Sequence, residues 1–430
     1  MADPILTDAP TTAAGASLVP TQPGPAPSKS PRSPSTGDGD ADGDGDAEGP
    51  TASASAARPD ARGHVVRTVL GTYVFSTLVH LSVLAVMIPP GGPGIRDRLL
   101  AWDALLYLDI ATDGYPEGFT RTETGEIGGN NLAFFPLFPL LTGGLHRITG
   151  LDAGAAALVV AHLSLLGAMF AVHALLTRLY DGRTATVGIV LLAGAQPMAL
   201  TFLMGYSEAL FVALAAAALL AAHRGAWLTA GCAGLLAGLT RPAAFALAVA
   251  LALAALLALR RAGRLEWRPL AAVALACVGT PAYLLWVGWR AGQWNAWFLI
   301  QEAGWGTAWD NGAGFFGFLK DTFERGDGWV PVSTAVLLVG AVVATVVAWR
   351  RDAWPPLLVY GTTVVVLTLA QSNYYHSKLR LLVPALVFLL PFARALGRAR
   401  PRTAAVVLVG ATLFGSWYGA YMVTVWRYAI

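Results

Sequence analysis

The chain has 430 residues, of which 55% are hydrophobic and only 13% charged, with a formal net charge of +3. Soluble globular proteins carry nearer a quarter charged residues, so this balance excludes that class and leaves an integral membrane protein. The small positive excess falls in short clusters between apolar runs, where orientation in a membrane accounts for it, and no nucleic-acid partner is implied.

Residues 1–62 are rich in Ala, Pro, Ser, Thr, Gly and Asp and poor in aromatic and β-branched apolar side chains. Such a segment buries too little surface to offset its ordering entropy, so a disordered cytoplasmic tail is expected. It also lacks the early basic region and apolar stretch of a cleaved signal peptide. Asp38, Asp40, Asp42 and Gly43 match the opening of a calcium loop, but Gly49 stands where a bidentate Glu is needed. Low complexity is the better account.

From Val65 the apolar runs lengthen to about 15–24 residues, which as helices rising 1.5 Å per residue can cross a hydrocarbon core of roughly 30 Å, some with tilt or thinning. Eleven spans are expected: 65–88, 153–177, 184–204, 207–222, 226–240, 242–259, 269–290, 331–349, 354–371, 378–396 and 403–424. The segment 131–149 is apolar too, but Pro136, Pro139, Gly143 and Gly144 break it. If it does not cross, the clusters around Arg67, Arg178, Arg260, Arg350 and Arg394 all fall on one side, as the cytoplasmic excess of Lys and Arg requires. Laid along the outer surface, it makes 63–430 an all-α polytopic membrane domain with about eleven transmembrane helices. The N-terminus is then cytoplasmic, and two large loops, 89–151 and 291–330, lie outside. Cys232 and Cys277 sit inside apolar runs and read as packing residues, not as a disulfide.

The polar chemistry collects on that outer side. Asp103 follows Trp102 and shares a helix face with Tyr107. A carboxylate at the membrane boundary can take a proton from a hydroxyl nucleophile, and Asp also suits a helix start. Glu208, after Tyr206-Ser207, must face protein or water at that depth. It can position Arg241 or an acceptor hydroxyl, or simply sit as an acid at a helix N-terminus. Arg241 and Arg380 stand at span boundaries, where each can hold a lipid phosphate or snorkel to the interface. His376 and Lys378 join Arg380 in a small cationic patch. Gln301 and the Trp residues of 293–310 suit sugar hydroxyls and ring faces, although an interfacial aromatic belt predicts the same Trp enrichment. The seven His residues show no ligand spacing and no nucleotide fingerprint is present, so neither metal nor cofactor is expected.

Trp102-Asp103, Tyr107, Ile110-Ala111, Gly114-Tyr115 and Phe134-Phe135-Pro136-Leu137-Phe138-Pro139 together resemble the first luminal loop of the GPI second-mannose transferase family (PIG-V type) and its actinobacterial relatives. The resemblance continues through Pro197, Tyr206-Ser207-Glu208, Thr240-Arg241-Pro242, Gln301 and the stretch from Arg380 to Pro391. It implies the GT-C glycosyltransferase fold, multi-span and helical, with a catalytic carboxylate in a first outer loop that carries surface helices. It further implies inverting, metal-independent transfer of mannose from a polyprenyl-phosphate carrier, with Asp103 as general base. The acceptor is then a hydroxyl of a glycolipid, glycan or protein, and membrane lipids surround the site. High Ala, Gly, Arg and Pro content points to a bacterium with GC-rich DNA, hence to its plasma membrane. Two other classes stand beside this one: a transporter or lipid-linked sugar flippase, in which internal repeats are expected, and a scaffold for another transferase.

Overall fold

In the computed structural model the apolar runs are helices. Residues 53–326, 328–351 and 354–430 are described, with side chains from 62 onward. The tail expected over 1–62 lies outside the described residues except for its last ten, which are helical. By contacts the chain divides after Ser55, and the unit considered below is Ala56–Ile430.

The helices run α1 (Ser53–Met87), α2 (Ile95–Leu99), α3 (Asp103–Asp113), α4 (Leu137–Thr149), α5 (Ala153–Leu179), α6 (Gly182–Val190), α7 (Glu208–His223), α8 (Trp227–Gly238), α9 (Ala244–Ala262), α10 (Trp267–Ala291), α11 (Ala296–Trp305), α12 (Ala313–Arg325), α13 (Trp329–Trp349), α14 (Pro355–Leu369), α15 (Lys378–Leu382), α16 (Leu390–Arg398) and α17 (Pro401–Thr424). The one sheet among the described residues pairs β1 (Ala308–Trp309) with β2 (Gln371–Ser372), antiparallel, with Ala308 opposite Ser372. It ties the second large loop to the segment before α15.

The chain is a polytopic all-α membrane protein, and the eleven expected segments are all helical, but they are not equal. Among the described residues, six helices are long and apolar enough to cross a membrane: α1 from Arg62, α5, α9, α10, α13 and α17. Four expected spans, Gly182–Ala195, α7, α8 and α14, are apolar helices of only 10–17 residues. The span expected over 378–396 is two pieces, Tyr375–Ala385 and Val387–Arg398, bent by 76°.

Sequence chemistry explains the breaks. Pro384 cannot donate a backbone hydrogen bond, and Leu386, two residues on, adopts φ 56°, a conformation that L side chains seldom take. The carbonyl of Pro384 is satisfied by the Tyr360 hydroxyl at 3.0 Å. Gly361 gives the bend room, since a β-carbon there would lie 2.3 Å from the Ala385 carbonyl oxygen. In the span expected over 184–204, Pro197 follows a π-turn at Leu191–Ala195 and precedes a 3₁₀ turn at Ala199–Leu203. The Gly-rich 226–240 stretch makes the closest helix pair: a β-carbon on Gly238 would sit 2.9 Å from Gly279 of α10. Small residues allow that approach, which in lipid supplies dispersion contact where no hydrophobic drive exists. Cys232 and Cys277, expected to pack inside, are free and exposed.

The bundle has two chemically different ends. At one, Arg178 Nε donates to His223 Nδ1 at 3.3 Å, the His223 ring meets Trp354 edge-on, and the Arg394 guanidinium covers Tyr180 at 5.1 Å. Arg183 and Arg394 there also donate to the carbonyls of Ala399 and Arg351. At the opposite ends of α7 and α14 stand Glu208 and Gln371, and Arg380 of α15 reaches Glu208 there. α7 alone separates the two ends by about 24 Å at 1.5 Å per residue. The segment 131–149 stays at the Glu208 end: α4 packs on α3, burying Phe138, Pro139, Thr142 and Gly143 and exposing Leu140, Leu141 and Ile148.

Candidate active site

α3 opens at Asp103, after Trp102 has taken φ 55° and ψ −116°. A Trp in that region costs on the order of 1–3 kcal/mol and persists only where its surroundings fix it. Here they do. The Trp102 ring packs against the main core, the Gly205 amide donates to the Leu99 carbonyl at 2.9 Å, and the Tyr206 hydroxyl donates to the Ala101 carbonyl at 3.2 Å. Residues 99–104 are thereby fastened to 205–206, and the Asp103 carboxylate is aimed away from its own helix. No side-chain cap closes this N-terminus. Oδ2 of Asp103 instead accepts from Arg380 Nη1 at 2.6 Å. The simple capping role does not hold.

Arg380 is buried, with its guanidinium 5.1 Å above the Tyr206 ring. Its Nε points to Glu208 Oε1 at 3.7 Å, and the same oxygen lies 2.8 Å from Arg241 Nη1. Arg241 Nη1 also donates to Ser207 Oγ at 3.2 Å, and Ser207 Oγ meets the Tyr107 hydroxyl at 2.8 Å. Since Tyr107 follows Asp103 by one helical turn on α3, six side chains close a ring: Asp103, Arg380, Glu208, Arg241, Ser207, Tyr107. Burial pushes the Tyr107 phenol well above its ordinary value, so it remains a neutral hydrogen-bonding group. Two carboxylates face two guanidiniums, and the ring carries no net charge.

This ring forms part of the wall of a cavity of about 1090 Å³. Six of the residues singled out from sequence line it: Asp103, Tyr107, Arg241, Gln301, His376 and Arg380. Four do not. Trp102 packs under the loop, Tyr206 lies beneath Arg380, and Glu208 sits behind the two arginines. Lys378 is buried and donates to the carbonyls of Thr368 at 3.0 Å and Gln371 at 2.7 Å, away from the cavity that His376 and Arg380 line. A buried ammonium must satisfy its donors, and the end of α14 supplies those acceptors.

The rest of the wall comes from the loops 89–151 and 291–330, the turn after β2, the start of α9, α10 and the C-terminal residues from Trp426. Phe134 is clamped by Tyr115 and Tyr283, whose hydroxyls donate to its carbonyl at 2.8 and 2.7 Å. Gln301 Nε2 and Trp297 Nε1 both donate to the Ala133 carbonyl, at 3.1 and 3.2 Å. Gln301 therefore anchors the Phe-Phe-Pro run as well as facing the cavity. Gly129 and Gly304 let the two loops touch, since a β-carbon on Gly129 would lie 2.5 Å from the Gly304 α-carbon. Ser207 and Tyr374 are site residues that sequence reasoning did not assign. The signal for Ser207 was its place between Tyr206 and Glu208; for Tyr374 it was a paired Tyr in a polar turn. Among the described residues no group of three or more His, Cys, Asp or Glu is placed to hold a metal ion.

No protein-family model matches the chain, and no curated protein matches it. Among solved structures it is similar to ArnT from Cupriavidus metallidurans bound to undecaprenyl phosphate, at TM-score 0.48 and 18% identity, over 80% of this chain and 62% of that one. The apo state of the same protein gives TM-score 0.47 and 20% identity, over 82% and 63%. The archaeal oligosaccharyltransferase AglB from Archaeoglobus fulgidus, in complex with an inhibitory peptide and a dolichol-phosphate, gives 0.45 and 12%, over 83% and 56%. The chain spans less than two thirds of the length of each.

Proposed function

We propose that the chain is a glycosyltransferase that moves a hexose, mannose by its family resemblance, from a polyprenyl-phosphate donor to a hydroxyl acceptor outside the cytoplasm. The observation that carries this reading is a carboxylate, Asp103, ion-paired to Arg380 on the wall of a large cavity that Arg241, itself paired to Glu208, also lines. That wall lies at the end of the bundle remote from the exposed arginine clusters. Taking the clusters as cytoplasmic puts the cavity on the outer face of a bacterial plasma membrane, with the N-terminus inside. Nucleotide sugars stay in the cytosol, so an outer site needs a sugar already carried across on a lipid.

In this reading the acceptor oxygen attacks the anomeric carbon from the face opposite the phosphate. The new carbon–oxygen bond forms as the bond to the phosphate oxygen breaks, and the configuration inverts. Asp103 takes the hydroxyl proton, and Arg380 and Arg241 stabilise the negative charge on the departing lipid phosphate. No metal enters any step. The acceptor is a glycolipid, glycan or protein. Mass spectrometry of envelope glycans and glycolipids from a deletion strain should reveal a product lacking one hexose, restored by the wild-type gene and not by Asp103→Asn. An unchanged profile in the deletion strain contradicts the proposal.

A further inference from the structure

Glu208 touches no part of the cavity, yet both cavity arginines lean on it. Its side chain is 1% exposed; Oε1 lies within ion-pair distance of both Arg241, at 2.8 Å, and Arg380, at 3.7 Å, and neither carboxylate oxygen has a hydrogen-bond partner among the described residues. A buried carboxylate in this state is expensive, and where only packing is needed an apolar residue of similar volume does as well or better. What the carboxylate supplies is a negative charge between two guanidiniums that would otherwise repel each other. With it, both can line the same cavity.

We infer that Glu208 is a positioning residue that converges Arg241 and Arg380 into a two-guanidinium clamp for the phosphate of a polyprenyl-phosphate lipid; this rests on the functional reading above. The Arg241 Nη1 that meets Glu208 also donates to Ser207, itself held by Tyr107. Arg380 is held by Tyr206 beneath it and by Glu208 behind it, on different atoms from the Nη1 that meets Asp103. Nη1 can therefore pass from Asp103 to a phosphate oxygen while Nε stays toward Glu208. Donor binding then frees Oδ2 of Asp103 to accept the acceptor's proton, and an empty site keeps that oxygen occupied.

The test uses the full chain in nanodiscs, titrated with undecaprenyl phosphate and with undecaprenol, the same lipid without the phosphate. Glu208→Gln keeps the volume and removes the charge, and should weaken undecaprenyl phosphate binding by about ten-fold or more while leaving undecaprenol binding unchanged. Glu208→Asp keeps the charge but withdraws it, and should fall between; it carries the test if the Gln variant does not fold. Equal loss for both lipids, as a merely structural role would give, overturns the inference, and so does undiminished phosphate binding. A wild-type chain that does not distinguish the phosphate from the alcohol overturns the functional reading itself.

Discussion

The two ends of the bundle use the same residue, arginine, in opposite ways. At the far end Arg178, Arg183 and Arg394 are reached by solvent and bond to a His ring or to carbonyls that close helix termini. At the cavity end Arg380 and Arg241 have side chains only 9% and 14% exposed, and both are bound to carboxylates. The lesson is electrostatic. An exposed arginine can be lost at little cost because water replaces its contacts, whereas a buried one leaves its carboxylates without compensation.

The largest effect should come from Asp103→Asn, which keeps the volume and removes the proposed base. Transfer is expected to fall by about 10²–10⁴, the usual contribution of a positioned proton acceptor, with the chain still inserted but melting below wild type because Arg380 loses its charged partner. A radiolabelled polyprenyl-phosphate-hexose assay measures it. Next is Arg380→Ala, which strands Asp103 and Glu208. Breaking a buried pair costs on the order of 3–5 kcal/mol, so the variant should melt well below wild type in a thermal-shift assay as well as lose transfer. Retained stability would show that the pair is solvated in solution and would erase the contrast between the ends.

Gly361→Ala comes third. The added methyl would meet the Ala385 carbonyl, so the bend must shift and carry Arg380 with it. Reduced expression and a weakened donor affinity should appear together, and either one alone would separate the bend from the site. Lys378→Met tests a corrected assignment. It abandons two carbonyl acceptors, for a loss of about 1–3 kcal/mol, but should leave the KM for the donor unchanged. The smallest effect belongs to the far end, where Arg394→Ala should alter transfer by less than about two-fold and stability by no more than roughly 1 kcal/mol.

Much of this contrast was legible in the sequence. Apolar run length located the helical segments, and the distribution of Arg separated the two ends before any contact was known. Asp103 and Tyr107 were readable as one helix face because they are four residues apart. Arg380 closing on Asp103 was not, because 277 residues separate the partners and no local pattern encodes that approach. Nor was the 76° bend: Pro384 hints at a break, but its angle depends on Gly361 in another helix. Lys378 was misassigned for a related reason. A cation beside His376 and Arg380 reads as part of their patch, and only the free carbonyls at the end of α14 turn it inward. The role of Trp102 was hidden too, since an interfacial Trp and a Trp held at positive φ look the same in one dimension.

The central claim is that Asp103, facing the cavity, is the group that takes the acceptor's proton. The most direct measurement is single-turnover transfer by wild type and Asp103→Asn in proteoliposomes loaded with polyprenyl-phosphate mannose and an envelope lipid extract as acceptor. The account predicts that the variant binds the donor lipid at least as well as wild type and transfers sugar about 10²–10⁴ times more slowly. Turnover by Asp103→Asn within a few-fold of wild type would contradict it.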